Sequence, residues 1–412
     1  MGALTGYRVL DLSRVLAGPW CGQTLADLGA EVIKIERPGA GDDTRGWGPP
    51  WMGDENDEPT REASYYQSTN RGKLSVALNL ASVEGQEMVR ALAASCDVLI
   101  ENYKAGSLAK YGLDYASLSE INPRLVYCSV TGFGQTGPRA AEPGYDFIIQ
   151  GIGGLMSITG ERDDLPGGGP QKVGVAFSDL MTGLYSTVAI QAALLSREKT
   201  GLGQHVDMAL LDVQIATLCN QSQNYLASGK PPGRYGNAHA NIVPYQVFRA
   251  NDRDFIIACG NDSQFIALCN AIGLPELSRD PRFARNADRV TNRIEVIKTL
   301  SEHFLTACAD EWVQRIHPQG VPVGAINSIA QALDEPQVKA RDMLVNIPHS
   351  LNPDFMTVGS PIKLSGTPVD YPRGAPMLGE HTDEVLKRQL GLGDERLAEL
   401  KAKGVIEQLG DR

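Results

Sequence analysis

Two strand-like runs separated by one helix in the first forty residues constrain this chain more than any other feature. Arg8-Val9-Leu10-Asp11-Leu12 is a short apolar run and Ala17-Gly18-Pro19 breaks it. Residues 20–28 follow with helical spacing up to Gly29, which reads as a C′ glycine. Residues 31–36 form a second strand-like run, stopped by Arg37-Pro38-Gly39. Such a βαβ unit commits the chain to a parallel sheet. The cycle recurs, with helices expected over 84–94, 113–120 and 180–196 and strands over 98–100, 125–130 and from 204. Alternating β and α segments predict an α/β fold with a sheet covered on both faces.

Length and charge set further bounds. The 412 residues accommodate two to three domains at roughly 150 residues each. Gly/Pro-rich stretches at 38–61 and 161–169 read as loops, and G-K-P-P-G-R-Y-G at 229–236 reads as a domain boundary. With 38 Lys+Arg against 49 Asp+Glu, the net charge of −11 argues against a nucleic-acid or anionic-membrane partner. It is compatible with a local basic pocket for a phosphorylated ligand. No apolar run approaches the roughly 18 residues of a membrane span, and no charged leader with an apolar core opens the chain. The seven cysteines are scattered without C-x-x-C spacing and read as reduced thiols of a cytoplasmic protein.

Most chemical motifs fail on inspection. The first βα turn, Ser13-Arg14-Val15-Leu16-Ala17-Gly18-Pro19, holds one glycine where a dinucleotide fingerprint needs three. Glu36 ends the second strand as a ribose-binding acid would, yet Arg37 follows it, a cation suited to phosphate or simply to a solvated strand end. The six histidines show neither H-x-x-H nor H-E-x-x-H spacing, and no G-x-S-x-G elbow exists, so no metal or serine site is expected. Asp42-Asp43 and Asp163-Asp164 read as solvated turn carboxylates. Val173-Gly174-Val175-Ala176-Phe177 reads as a strand that opens at Ser178-Asp179 into the long helix. Asp179 then stands between a strand's carboxyl end and a helix's amino end, where open α/β sheets bind ligands. It either caps that helix or serves as a nucleophile kept ionised by the helix dipole. Gly144-Tyr145-Asp146-Phe147, followed by Gly151-Ile152-Gly153-Gly154, offers close backbone approach to a ligand or plain packing.

Several motifs go further. They are D-L-S-R-V-L-A-G-P at 11–19, A-E-V-I-K-I-E-R-P-G at 30–39, E-N-Y at 101–103 and G-F-G-Q-T-G-P at 132–138. P-G-Y-D at 143–146, V-G-V-A-F-S-D at 173–179 and L-G-E-H-T at 378–382 continue the series. In this order, over essentially the whole chain, they resemble the class III coenzyme A transferases, the family of formyl-CoA transferase and carnitine CoA-transferase. The resemblance implies a Rossmann-like large domain built from 1–228 and 326–412, a smaller α+β domain over 229–325, and an interlocked homodimer. It implies that Asp179 attacks an acyl-CoA thioester, passing through a mixed anhydride and an aspartyl-CoA thioester, with no cofactor beyond the substrate CoA. CoA contacts carry over to Val15, Leu16, Ala17, Arg37, Leu78, Asn102, Tyr103, Lys110 and Tyr145.

This sequence also departs from formyl-CoA transferase. Leu16 replaces a glutamine, Ala81 replaces a lysine, and the glycine-rich loop is Gly236-Asn237-Ala238-His239-Ala240-Asn241. That loop, running on to Gln246, and the stretch 41–50 are similar to the succinate–hydroxymethylglutarate (glutarate) CoA-transferase branch. A dicarboxylate acceptor such as glutarate and a succinyl-CoA-like donor are therefore expected, with His239 or Arg45 pairing with the acceptor's distal carboxylate. Two other readings stand beside this one. An α-methylacyl-CoA racemase shares the family, but its histidine falls at Tyr145, and a phenol is a poor α-proton shuttle near neutral pH. A non-catalytic CoA-binding protein would have little use for an intact Asp179.

Overall fold

The computed structural model describes residues 1–411. The described residues divide into two compact units, one of residues 1–155, 173–227 and 337–411, the other of 156–172 and 228–336. These limits differ from the expected spans, because 156–172 and 326–336 belong to the second unit. The Arg234 guanidinium explains the first difference: it donates to the Ser157 and Glu161 carbonyls at 3.2 and 3.3 Å, a long-range contact without a local signal.

In the first unit seven strands form one sheet: β1 (Arg8–Asp11), β2 (Glu31–Glu36), β3 (Lys73–Leu78), β4 (Val98–Glu101), β5 (Val126–Thr131), β6 (His205–Ala209) and β7 (Ile406–Glu407). Their order is β7-β3-β2-β1-β4-β5-β6, with β1 to β6 parallel and β7 antiparallel at the edge. The chain fills the sheet outward from β1 to β3, then starts again at β4 on the other side of β1. Loops leaving β1 and β4 diverge there, and this reversal opens a crevice beyond the strand ends.

Side-chain alternation buries both faces of the sheet. Leu10, Ile33, Val76 and Leu99 pack on one side, and Val9, Val32, Ile100 and Val126 on the other. The period of two therefore reads as continuous apolar runs. Helices α1 (Ala17–Asp27), α2 (Val83–Ala94), α3 (Asp146–Ile152), α4 (Phe177–Thr200) and α5 (Leu210–Thr217) belong to the same unit. α1 and α4 meet closely at Gly183, where a Cβ would stand 2.7 Å from the Ala17 carbonyl oxygen.

Three local expectations need correction. Ala17-Gly18-Pro19 is the first turn of α1, since a proline there lacks only an N–H that the helix would leave unpaired. The 38–61 stretch folds into a 3₁₀ turn at Asp43–Gly46 and a hairpin of Trp51–Gly53 with Pro59–Ala63. Residues 173–176 form no strand. The buried Gln150 side chain takes the place of a ladder, accepting the Val173 N–H at 2.9 Å and donating to the Val175 carbonyl at 3.4 Å.

The second unit holds an antiparallel sheet of Tyr245–Arg249, Asp254–Ala258 and Val323–Ala325 over an aromatic core that includes Phe248, Phe255, Phe304 and Trp312. Phe304 meets Phe248 and Phe255 edge-on at 5.0 and 5.2 Å, the favoured aromatic geometry.

Candidate active site

The reversal point between β1 and β4 carries a cavity of about 190 Å³. Its walls are the turn after β1 (Arg14 to Ala17), the turn after β4 (Asn102 to Ala105), the end of β5, the Pro143–Tyr145 turn, Leu210 and Asp179. The expected residues Val15, Leu16, Ala17, Asn102, Tyr103, Tyr145 and Asp179 therefore share one space. Gly132 and Gly144 let two walls close on each other, because a Cβ on Gly132 would meet the Gly144 Cα at 2.5 Å.

Asp179 lies in the first turn of α4 and is half-buried. No side chain of α4's own N-cap, Ala176, satisfies the turn. Asp146 of α3 does so instead: its Oδ1 accepts the Ser178 N–H at 2.8 Å and the Asp179 N–H at 3.4 Å, while its Oδ2 accepts from Gln150 at 2.8 Å. The Ser178 hydroxyl donates to the buried Gln214 of α5 at 2.7 Å, locking the turn from another side. Burial first, and the Asp146 carboxylate second, push the Asp179 carboxyl up to about 7. A group poised near neutrality by desolvation and a like charge is a functional-site signature. The Tyr65 phenol is pushed to about 12 by burial and then by the Asp179, Asp146 and Asp42 carboxylates, so it faces the same acidic cluster.

The first turn is unusual in its backbone. Val15 has φ +70°, in the left-handed region that β-branched residues avoid. Side chains from elsewhere grip it. Asn102 accepts the Arg14 N–H at 2.9 Å and donates to the Arg14 carbonyl at 2.6 Å. Asp42 accepts the Val15 N–H at 3.2 Å, and the Lys34 ammonium donates to Asp42 at 2.9 Å and to the Ser13 carbonyl at 2.8 Å. Asp42 is thus no solvated turn carboxylate: its side chain and that of Lys34 are wholly buried. Asp43 is exposed and lines the cavity, paired with Arg14 at 3.1 Å.

Other expected residues lie away from the cavity wall. Arg37 and Lys110 are exposed, and Leu78 is buried in the hydrophobic core. Arg45 does not reach for a substrate. It is buried, forms a bidentate pair with Glu36 at 2.9 and 2.8 Å, donates to Glu62 at 3.1 Å, and bonds the Tyr66 hydroxyl and the Pro376 carbonyl. The guanidinium is engaged within the fold and does not line the cavity. His239 belongs to the second unit. Its Nδ1 accepts the Asn241 N–H at 3.0 Å, so the neutral ring carries its proton on Nε2, and Arg293 fixes the loop by donating to the His239 and Ala240 carbonyls. Burial, then Arg293, lowers the His239 pKa and favours that neutral form.

Asp146, Gln150, Gln214 and Tyr65 were not among the expected site residues. Only Asp146 had a sequence signal, its place in P-G-Y-D. Among the described residues, no group of three His, Cys, Asp or Glu is placed to hold a metal ion, and no helix is long and apolar enough to cross a membrane.

Comparison with known proteins bears on this arrangement. The chain is 51% identical over 383 residues to the succinate–glutarate CoA-transferase of Agrobacterium fabrum, covering 93% of this chain and 94% of that one. It is 42% identical over 405 residues to the human succinyl-CoA:glutarate CoA-transferase, covering 98% and 90%. The crystal structure of a CAIB/BAIF family protein from Brucella suis superposes with a TM-score of 0.82 at 48% identity, over 94% of this chain and 100% of that one. Residues 4–382 match the profile of CoA-transferase family III, and the chain belongs to that family.

Proposed function

We propose that this chain transfers coenzyme A from succinyl-CoA to glutarate, with Asp179 as the acyl carrier. One observation carries the reading: a half-buried carboxyl, pushed to about 7, stands on the wall of the cavity at the sheet's reversal point. The relatives named for succinyl and glutaryl transfer support the substrate pair.

The ionised Asp179 attacks the thioester carbonyl, and the tetrahedral adduct expels CoA thiolate to leave a succinyl–aspartyl anhydride. The thiolate then attacks the aspartyl carbonyl, releasing succinate and forming an aspartyl-CoA thioester. A glutarate carboxylate attacks that thioester, giving a glutaryl–aspartyl anhydride and thiolate again. Attack of thiolate on the glutaryl carbonyl yields glutaryl-CoA and restores Asp179. No proton or electron is gained or lost. Desolvation serves each step, because water would hydrolyse both acyl intermediates.

In this reading Asn102, Tyr103 and Tyr145 line the path of the pantetheine, and the exposed cations Arg37 and Lys110 meet the nucleotide phosphates. Leu78, withdrawn into the core, drops out as a side-chain contact. We also assign an interlocked homodimer, supported by the apolar residues Leu184, Val188 and Leu195, exposed along one face of α4.

A panel of carboxylic acids assayed with succinyl-CoA tests the substrate pair. Glutaryl-CoA is expected to form with the highest kcat/KM. Preference for a monocarboxylate or for oxalate contradicts the acceptor, and deuterium wash-in at the α-carbon of a 2-methylacyl-CoA without transfer contradicts the reaction class.

A further inference from the structure

The turn after β1 is strained and held by side chains distant in sequence. Val15 holds φ +70°, a conformation that β-branched residues avoid, and such strain persists only where the surroundings over-determine it. Three successive residues are clamped by three separate side chains: Ser13 by Lys34, Arg14 by Asn102 and Val15 by Asp42. Asn102 is itself a cavity residue, whereas Asp42 and Lys34 do not line the cavity.

We propose that Asp42, backed by Lys34, is a positioning residue of the acyl-CoA site: its buried carboxylate holds Val15 left-handed and so sets where Leu16 and Ala17 face the thioester. The assignment rests on the reading that this cavity takes the acyl-CoA. Burial opposes ionisation of Asp42, but Lys34 and the Thr44 N–H outweigh it and hold the carboxyl at about 2, so the clamp is charged throughout the working pH range. Lys34 in turn feels Asp42 first among its carboxylates, then Asp11 and Glu36.

A plainer role is available. Asp42 is the N-cap of the 3₁₀ turn Asp43–Gly46 and accepts the Thr44 N–H at 3.0 Å. Asp42 uses two acceptor oxygens, Oδ1 for the Thr44 and Val15 N–H groups and Oδ2 for Lys34, and asparagine has one, so Asp42→Asn sets an amide N–H₂ against one of these donors and loosens cap and clamp together. Lys34 keeps Asp11 and Glu36 as charged neighbours in that variant.

The test combines Asp42→Asn with Val15→Gly, glycine being the residue that adopts φ +70° without a clamp. Asp42→Asn is expected to raise the KM for succinyl-CoA by about tenfold while changing kcat less, since misplaced binding groups are costly. Adding Val15→Gly to it is expected to recover most of that loss, which loss of general stability would not allow. An unchanged KM in Asp42→Asn, or a raised one that glycine does not lower, overturns the proposal. Should Asp42→Asn fail to fold, Val15→Gly in the unaltered chain decides. A Tm raised or held within about 3 °C supports a strained valine, and any larger fall overturns it. Calorimetry with succinyl-CoA separates the two levels of the argument. A chain that binds no CoA thioester overturns both readings, whereas equal binding by wild type and Asp42→Asn overturns only this one.

Discussion

The role proposed for Asp179 makes two requirements that pull against each other. Attack on a thioester needs the ionised carboxylate, yet burial and the neighbouring Asp146 push the group toward its neutral form, up to about 7 from the ordinary 3.8. The cost is a rate that falls below neutrality; the gain is a carboxylate with little water to shed before it reacts. Asp146 carries two effects in one side chain, fixing the α4 turn through N–H bonds and repelling the charge on Asp179. Asp146→Asn separates them, because an amide oxygen still accepts the N–H bonds. Removing a like charge lowers the pKa of the remaining acid, so the acidic limb of kcat/KM for succinyl-CoA should move to lower pH. It should stay well above the ordinary carboxylate range, since burial is the larger cause. The plateau rate should drop no more than about tenfold, the difference between a charged and a neutral acceptor being roughly 1 kcal/mol. Rate profiles between pH 5 and 9 read this directly, and a limb that stays put or moves upward refutes the role given to Asp146.

Among the elements, what could be read from the sequence depended on where each backbone finds its hydrogen bonds. β1, β2, β4 and β5 pair with their neighbours and bury both faces, so their apolar runs mark them, whereas β3 carries the buried polar residues Lys73 and Ser75 in its run and was not read as a strand. The 173–176 segment has the same composition but takes its bonds from Gln150, a partner more than twenty residues away, and no local pattern shows that. Ala17-Gly18-Pro19 misleads for the opposite reason: glycine and proline punctuate chains in general but are tolerated in a first helical turn. Charged residues in the 38–61 stretch were the hardest to place. Asp42 and Arg45 look like loop residues until that stretch folds onto the end of β2, where they are buried against Lys34 and Glu36. Asp179 was legible because a helix start and a family motif coincide on it. The residues that tune it act across elements, through α3 and α5, and only the folded chain brings them near.

For the whole molecule, the long helix α4 does two jobs. Its first turn presents Asp179, and farther along it exposes Leu184, Val188 and Leu195 on one face. An apolar stripe of that kind on a functional helix asks for cover from a second copy. Light scattering at micromolar concentration should give the mass of two chains. Val188→Glu with Leu195→Glu should release monomers or aggregate, with transfer lost in either case. A fully active monomer would remove the dimer from the account. The central claim, that the acyl group and then CoA reside on one carboxylate, is tested most directly by mass spectrometry of the protein mixed with succinyl-CoA and quenched with hydroxylamine or borohydride. The account predicts modification confined to the peptide at Asp179, absent from Asp179→Asn, which also loses transfer. Modification at another residue, or transfer at the wild-type rate by Asp179→Asn, would contradict it.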